Sequence, residues 1–285
     1  MNDLREQIEQ ELVKRIEVRV SSMKWRPNYE EWVQQRIWQE RYRDRVLENL
    51  RRYVPDWERA TILDLGSGMG GLMVRLQQEG CKILGLDYCF DYCIITKLRG
   101  MRYGLRPNVI NGIAERIPLK DQSVDVIFCY EVIEHVFDPM AMLREIRRVI
   151  KPSGVVFITV PNRWSPYDHH YHMWGINFLP RPIAEWIIKA LGRDKGSDTS
   201  AGVQKLSELH YFSFRAFYKL AKQVGFVLFD VREDKLMEGI VPPTRVGRLI
   251  SMLKRLRLLR LVYRLYRFNL MDEWHFILKP AGESV

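Results

Sequence analysis

Cysteine is scarce in this sequence. Four occur in 285 residues, at 81, 89, 93 and 129, and none forms a CxxC pair. That argues against a disulfide framework and a cysteine-built zinc site, and reduced core thiols are the simplest expectation. No apolar run reaches the ~20 residues a membrane-crossing helix needs. The opening stretch MNDLREQIEQELVKR is charged throughout and lacks the apolar centre of a secretory leader, so a cytoplasmic location is expected. No internal repeat is visible. Acidic residues are missing between Arg245 and Arg267, where Lys and Arg number eight. With a whole-chain net charge of +10, the remainder carries only +2, so the basic character is local and argues against a nucleic-acid-binding surface.

The remaining composition, 47% hydrophobic and 28% charged, is that of a globular protein with one good-sized core and additions to it. The most informative stretch is 61–71, TILDLGSGMGG. It reads as a short buried strand, then a glycine-rich turn, then a helix over 72–79. Gly66, Gly68 and Gly70 let the backbone bend sharply and approach a ligand without a Cβ in the way. The following helix aims its unsatisfied amides at the same place. This is a nucleotide-handling turn, and the glycines alone leave the nucleotide open.

Asp64, just ahead of the glycines, would repel an arriving pyrophosphate. It suits a ligand with a cationic amino-acid head and no phosphate, such as S-adenosylmethionine. The next strand, 82–86, ends in Asp87, an acid placed to accept from ribose hydroxyls. From these residues onward, over about 58–234, the chain resembles the class I S-adenosylmethionine-dependent methyltransferases. Within them it is similar to the ubiquinone-biosynthesis O-methyltransferases and to small-molecule and glycan O-methyltransferases. The resemblance implies cofactor contacts at Asp64, Gly66, Ser67, Gly68, Gly70, Asp87, Tyr88 and Tyr130. It also implies that the Ala114 backbone and the Glu115 side chain hold the adenine, with Ile113 standing where relatives carry an acid.

Further strands are expected at 107–110, 123–130, 155–160, 226–232 and 273–279. Helices are expected at 2–22, 29–53, 181–191 and 213–224. Another begins with Asp138 as N-cap and Pro139 at its first position, runs to about 150, and is stopped by Lys151-Pro152-Ser153-Gly154. The polar stretch 192–204 is expected to be a mobile loop. The alternation predicts an α/β fold, a Rossmann-like, mostly parallel seven-stranded sheet with helices on both faces. Three parts are expected: a helical cap at 1–57, a cofactor-binding core at 58–244 with a substrate-side insertion at about 161–212, and a basic helix with a closing strand at 245–285. Aromatics of the cap, Trp32 and Trp38 among them, either cage the sulfonium or simply pack on the core.

Methyl transfer to a hydroxyl needs a general base or a metal that lowers the hydroxyl pKa. Glu131, Glu134 and His135 look like the Glu-x-x-Glu-His segment of the ubiquinone-type and small-RNA ribose methyltransferases. That resemblance implies a divalent-metal site, with His210 as a later ligand, suited to Mg or Mn and less securely to Zn or Fe. Alternatively His135 is a base, or it is structural. Asp168, His169, His170 and His172 form a second polar cluster, from which His170 is a further base candidate beside His135 and Glu131. Asn162 and Arg163 either bind a polar substrate or hold a turn.

From 245 to 269, arginines recur at helical spacing opposite Leu258, Leu261, Val262, Leu265 and Tyr266. This reads either as a membrane-surface or partner-binding helix, or as a helix packed on the sheet with its arginines in water. The acceptor is then a small molecule, a glycan or a lipid-linked compound, and the protein is cytoplasmic or peripheral on a membrane; the oligomeric state stays open. Three other readings remain: an RNA ribose methyltransferase, a non-catalytic cofactor-binding partner protein, and a nicotinamide oxidoreductase using Tyr218 and Lys222.

Overall fold

Apolar runs at 62–65, 126–129 and 155–160 are buried throughout, too continuous for strands with one wet face, and they form the middle of one sheet. The structure, a computed structural model, describes residues 2–194, 204–240, 245–269 and 271–282. It opens with helices α1 (Asn2–Val20), α2 (Tyr29–Ile37) and α3 (Asp44–Tyr53). Then come β1 (Thr61–Leu65), α4 (Gly71–Gln78), β2 (Lys82–Asp87), α5 (Phe90–Arg102), β3 (Asn108–Asn111), β4 (Val124–Cys129), α6 (Pro139–Val149) and β5 (Ile150–Pro161). A small hairpin, β6 (Tyr167–Asp168) and β7 (Met173–Trp174), precedes α7 (Arg181–Ala190) and α8 (Phe214–Gln223). The described chain closes with β8 (Phe226–Asp230), α9 (Val231–Glu238), α10 (Arg245–Arg255), α11 (Leu259–Asn269) and β9 (Glu273–Pro280).

Seven strands lie in the order β3-β2-β1-β4-β5-β9-β8. Neighbours from β3 to β5 are parallel, and β9 runs antiparallel to both β5 and β8. The strand order reverses between β1 and β4, which opens a crevice at their carboxyl ends. One buried cluster, with Leu63, Ile127 and Ile158, packs under α6 and α8 through Ile146 and Phe217. The other, with Ile62, Phe128 and Phe157, takes Met73 of α4 and Leu50 of α3. Asp138 caps α6 as expected, accepting from the amides of Met140 and Ala141.

Four boundaries differ from the sequence expectation. The helix expected over 29–53 is two, because the buried Arg99 guanidinium takes the Arg36 and Ile37 carbonyls and pairs with the buried Glu40. Residues 151–154, expected to stop the helix ahead of a strand at 155–160, follow a helix that ends at Val149 but already belong to β5, which starts at Ile150. They form a bulge within β5, where Val124 faces Ile150 but Val126 faces Val155, and Lys151 bonds Asp125 at 2.8 Å. The strand expected to reach 232 stops at Asp230, whose carboxylate accepts from the amides of Arg232 and Glu233 and so starts α9. The basic helix expected over 245–269 breaks at Arg257, which has a left-handed φ of 58°. Of the expected loop at 192–204, residues 195–203 lie outside the described residues.

Candidate functional site

At the carboxyl ends of β1, β2, β4 and β5 lies a cavity of about 1030 Å³. Its floor includes Gly66, Ser67, Gly68 and Asp87, and one end carries Tyr88, Ala114, Glu115 and Phe137. Residues from α1 to Arg43 form one wall, and the segments around 161–177 and 204–211 form another.

The glycine turn is shaped by positive φ at Gly66, Gly68 and Gly70. A Cβ on Gly66 would stand 2.3 Å from Val132 Cγ2, so this glycine lets the β4 loop press against the turn. A Cβ on Gly70 would strike Thr96, which makes Gly70 a packing residue; it is not on the cavity wall. Nothing lies within 4 Å of a Cβ on Gly68, the one glycine of the three that faces open space. Four of the turn's amides are already spent. Gly66 and Ser67 donate to the Leu86 carbonyl at 2.7 and 3.1 Å, Gly70 to Ser67, and Gly68 to Asp87 Oδ2 at 2.7 Å. A diphosphate bound at such a turn relies on those N–H groups. Here they are held by carbonyls and a carboxylate.

Asp87 accepts a second bond from the Cys89 amide at 2.8 Å, which leaves acceptor capacity for ribose hydroxyls. Asp64 lies behind the turn and off the cavity wall. Its carboxyl is pushed up to about 7 by burial, with Arg43 drawing it down and Asp87 adding to the rise. Asp64 Oδ2 and Ser67 Oγ are buried without a partner. Arg43 does line the cavity, and sequence reasoning missed it, because only the break between α2 and α3 turns it inward. Unsatisfied polar atoms, an acid–arginine pair and a cradle at Gly68 fit a zwitterionic sulfonium nucleoside.

Tyr88 and Phe137 meet edge to face at 6.4 Å across the cavity mouth. Ala114 is buried in the wall beside them. Glu115 supports the backbone there, its Oε1 accepting from the amides of Phe137 and Asp138 at 2.6 and 3.2 Å. Tyr130 lines the cavity, and burial raises its phenol well above the usual value.

The polar centre of the cavity is Glu134, His135 and His170, whose ligand atoms lie within 4.8 Å of one another. This revises the metal set expected from sequence. Among the described residues Glu131 and His210 are not in that group, and His170 is. His210 meets it through its main chain, its amide donating to the Glu134 carbonyl at 2.9 Å. Glu131 adopts a left-handed φ of 57°, held by its amide on Thr159 Oγ1, and its field reaches Arg26 and Arg43. Glu134 is 2% exposed, and burial pushes it up to about 8.

Both histidines are set by second partners. His135 Nδ1 lies 2.6 Å from Gln204 Oε1, and the Gln204 amide returns a bond to the His135 carbonyl, which fixes Oε1 as the acceptor. Tyr211 gives its hydroxyl proton to Asp168, so His170 Nδ1, 2.8 Å from the same hydroxyl, is the donor there. Each Nε2 therefore bears the lone pair, 4.0 and 3.9 Å from Glu134 Oε1. His169 is held by Asp272 and His172 by Tyr167, though both line the cavity. Asn162 holds a turn through Met271 and Trp164. Trp32 lines the cavity between two arginines, whereas Trp38 does not, and neither Tyr218 nor Lys222 does.

A family profile described as a methyltransferase domain matches residues 63–158. A ubiquinone biosynthesis O-methyltransferase of Marinobacter nauticus is 30% identical over 188 residues, covering 60% of this chain and 78% of the relative. One from Escherichia fergusonii is 34% identical over 103 residues, 36% of this chain, which spans less than half of that relative (43%). The fold is shared with a Haemonchus contortus N-methyltransferase solved with phosphomonomethylethanolamine and S-adenosylhomocysteine. That match has 16% identity, 84% of this chain, 53% of that chain and a TM-score of 0.52.

Proposed function

The chain belongs to the class I S-adenosylmethionine-dependent methyltransferases, and on that premise we propose that it transfers the methyl group to a hydroxyl of a small-molecule acceptor. The observation that carries this reading is the pairing of a glycine turn whose amides are internally bonded with two histidines that aim lone pairs into the same cavity. The ribose would bond Asp87, the adenine would lie by Tyr88 and Ala114, and Arg43 would take the methionine carboxylate. Asp64 would act from behind the turn, favouring the ammonium through its field. The choice of oxygen follows the named activity of the relatives.

When bound, S-adenosylmethionine would supply an electrophilic methyl group whose C–S bonding pair stays with the sulfur as the acceptor oxygen displaces it, and His135 Nε2 would take the hydroxyl proton. Gln204 holds the ring in the required tautomer, and the imidazolium formed faces Glu134. His170, oriented by Tyr211 and Asp168, is positioned as a second acceptor for the proton. Alternatively, with the Nε2 lone pairs given to a metal in place of the proton, Glu134, His135 and His170 would hold a divalent cation, and this one-carboxylate, two-imidazole set suits Zn, Fe or Mn better than Mg. When bound, such an ion lowers the pKa of a coordinated hydroxyl.

A second reading concerns the partner surface: α10 and α11 dock on an anionic membrane. The face of α11 turned to the protein is Leu259, Tyr263 and Arg267, with Arg267 paired to Asp230 and Glu233. Leu261, Val262, Leu265 and Tyr266 are 40–58% exposed, as are Leu249, Met252 and Leu256 at 49–58%. Arg260 and Arg264 share Glu233 at 3.3 and 3.7 Å, which leaves an excess of positive charge beside the exposed leucines, a match to an anionic lipid surface. A lipid-linked acceptor would be consistent with it. No helix among the described residues is long and apolar enough to cross a membrane.

Calorimetric titration with S-adenosylmethionine and NAD tests the central reading. Binding of the first and none of the second is expected, with an affinity drop of about ten-fold or more in Asp87→Asn. Occupation by NAD alone would overturn it.

A further inference from the structure

Three guanidiniums inside the fold are paired with carboxylates: Arg99 meets Glu40, Arg102 meets Glu9 and Glu40, and Arg267 meets Asp230 and Glu233. The arginines of the cavity wall are different. Arg26, Arg36 and Arg43 all line it, and among the described residues none has a carboxylate within 4.0 Å. Trp32 lies between the first two, with the Arg26 and Arg36 guanidinium carbons 4.4 and 5.1 Å from its ring centre. Arg36 and Arg43 converge on one neutral acceptor, the Gln39 amide oxygen, at 3.3 and 2.7 Å. Arg26 and Arg36 also repel each other, and burial adds to the cost of charging Arg26. Three cations face an open cavity, and the acids whose field reaches them are Glu131, which forms no ion pair among the described residues, and Asp64, which lies behind the turn.

Cations gathered on a cavity wall without carboxylate partners favour an arriving anion. A cofactor zwitterion supplies one carboxylate, and Arg43, which faces Asp64, is the cation placed to take it. Arg26 and Arg36 are left, held over an indole and therefore restricted in rotamer. A guanidinium fork matches a carboxylate or a phosphate. We propose that Arg26 and Arg36 form an anion subsite for the acceptor, so that the substrate class is a hydroxyl compound carrying a carboxylate or phosphate. This rests on the methyl-transfer reading above and names the acceptor class for that cavity.

The test uses inorganic phosphate, titrated calorimetrically at constant ionic strength into the full chain saturated with S-adenosylhomocysteine. A saturable phosphate site is expected, weakened about ten-fold or more in R26Q/R36Q. S-adenosylhomocysteine affinity and the circular dichroism spectrum should stay as in wild type, which excludes misfolding as the cause. Three results overturn the proposal: no saturable phosphate binding, equal binding in R26Q/R36Q, or phosphate competing with S-adenosylhomocysteine. The last would assign the arginines to the cofactor carboxylate. A second pair of probes, 3,4-dihydroxybenzoate and catechol, separates the charge from the hydroxyls, and only the first should lose affinity in R26Q/R36Q. Failure of S-adenosylhomocysteine to bind would instead sink the methyl-transfer reading, and phosphate titrated into the bare protein would still decide the subsite.

Discussion

The rings of His135 and His170 stand 5.5 Å apart, edge to face, and both turn Nε2 toward one oxygen of Glu134. One histidine comes from the loop after β4 and the other from the hairpin beyond β5, so two separate parts of the chain meet at this point. If His135 is the proton acceptor, His135→Ala should lower kcat by about 10²–10⁴. The dissociation constant for S-adenosylmethionine should stay within about two-fold, because the ring makes no cofactor contact in the proposed pose. Single-turnover kinetics on the variant check this, and an unchanged kcat would remove His135 from the chemistry.

Glu134 should leave a signature in the pH dependence of stability. Its native carboxyl is raised to about 8, whereas an unfolded glutamate titrates near ~4.3. Between those values the folded state holds more protons than the unfolded one, so stability falls as pH rises through that window and levels off above it. Asp64, raised to about 7, acts in the same direction. Thermal melts of the ligand-free protein from pH 5 to pH 9 should therefore decline for wild type and decline less for Glu134→Gln. Parallel curves would show that the carboxyl is not held protonated.

Arg99 joins two parts of the molecule, donating to the Met69 carbonyl in the glycine turn and to the Arg36 and Ile37 carbonyls at the end of α2. Arg99→Met removes the guanidinium from Glu40 Oε2 and from the Met69 and Arg36 carbonyls, while Arg102 still reaches Glu40 Oε1 and the Ile37 carbonyl. Breaking a buried pair from one side costs about 3–5 kcal/mol. Denaturant unfolding should show a loss of that order, larger than for Arg75→Met, whose partners Asp44 and Glu79 are nearer solvent.

The exposed leucines of α11 give a fourth expectation. Leu261→Ser with Leu265→Ser should abolish co-sedimentation with vesicles containing anionic lipid while leaving the melting temperature near wild type, since neither side chain is in the core. Equal sedimentation of the double variant and wild type would rule out this face as the docking surface.

Much of this architecture is written in local pattern. The strand–turn–helix at 61–78, the Asp138-Pro139 helix start and the acid at the end of β2 depend on neighbours in sequence, and each is where the pattern places it. What sequence hides is what distant residues impose. The break after Ile37 depends on Arg99, some sixty residues away, and it turns Arg43 into the cavity. His170 joins Glu134 through a hairpin whose two-residue strands carry too little periodicity to read. The face of α11 that packs is chosen by Asp230 and Glu233 capturing Arg267, against the apolar pattern of the helix itself.

Val132 rests where a side chain on Gly66 would be, so one methyl group acts as the spacer between the glycine turn and the loop carrying Glu134 and His135. The distance between those two parts is thus gauged by a hydrocarbon contact that has no chemistry of its own. Segments 161–177 and 204–211 bring His170, Gln204 and Tyr211 to the same loop from the far side, so an exchange there would move the histidines together with the cavity wall.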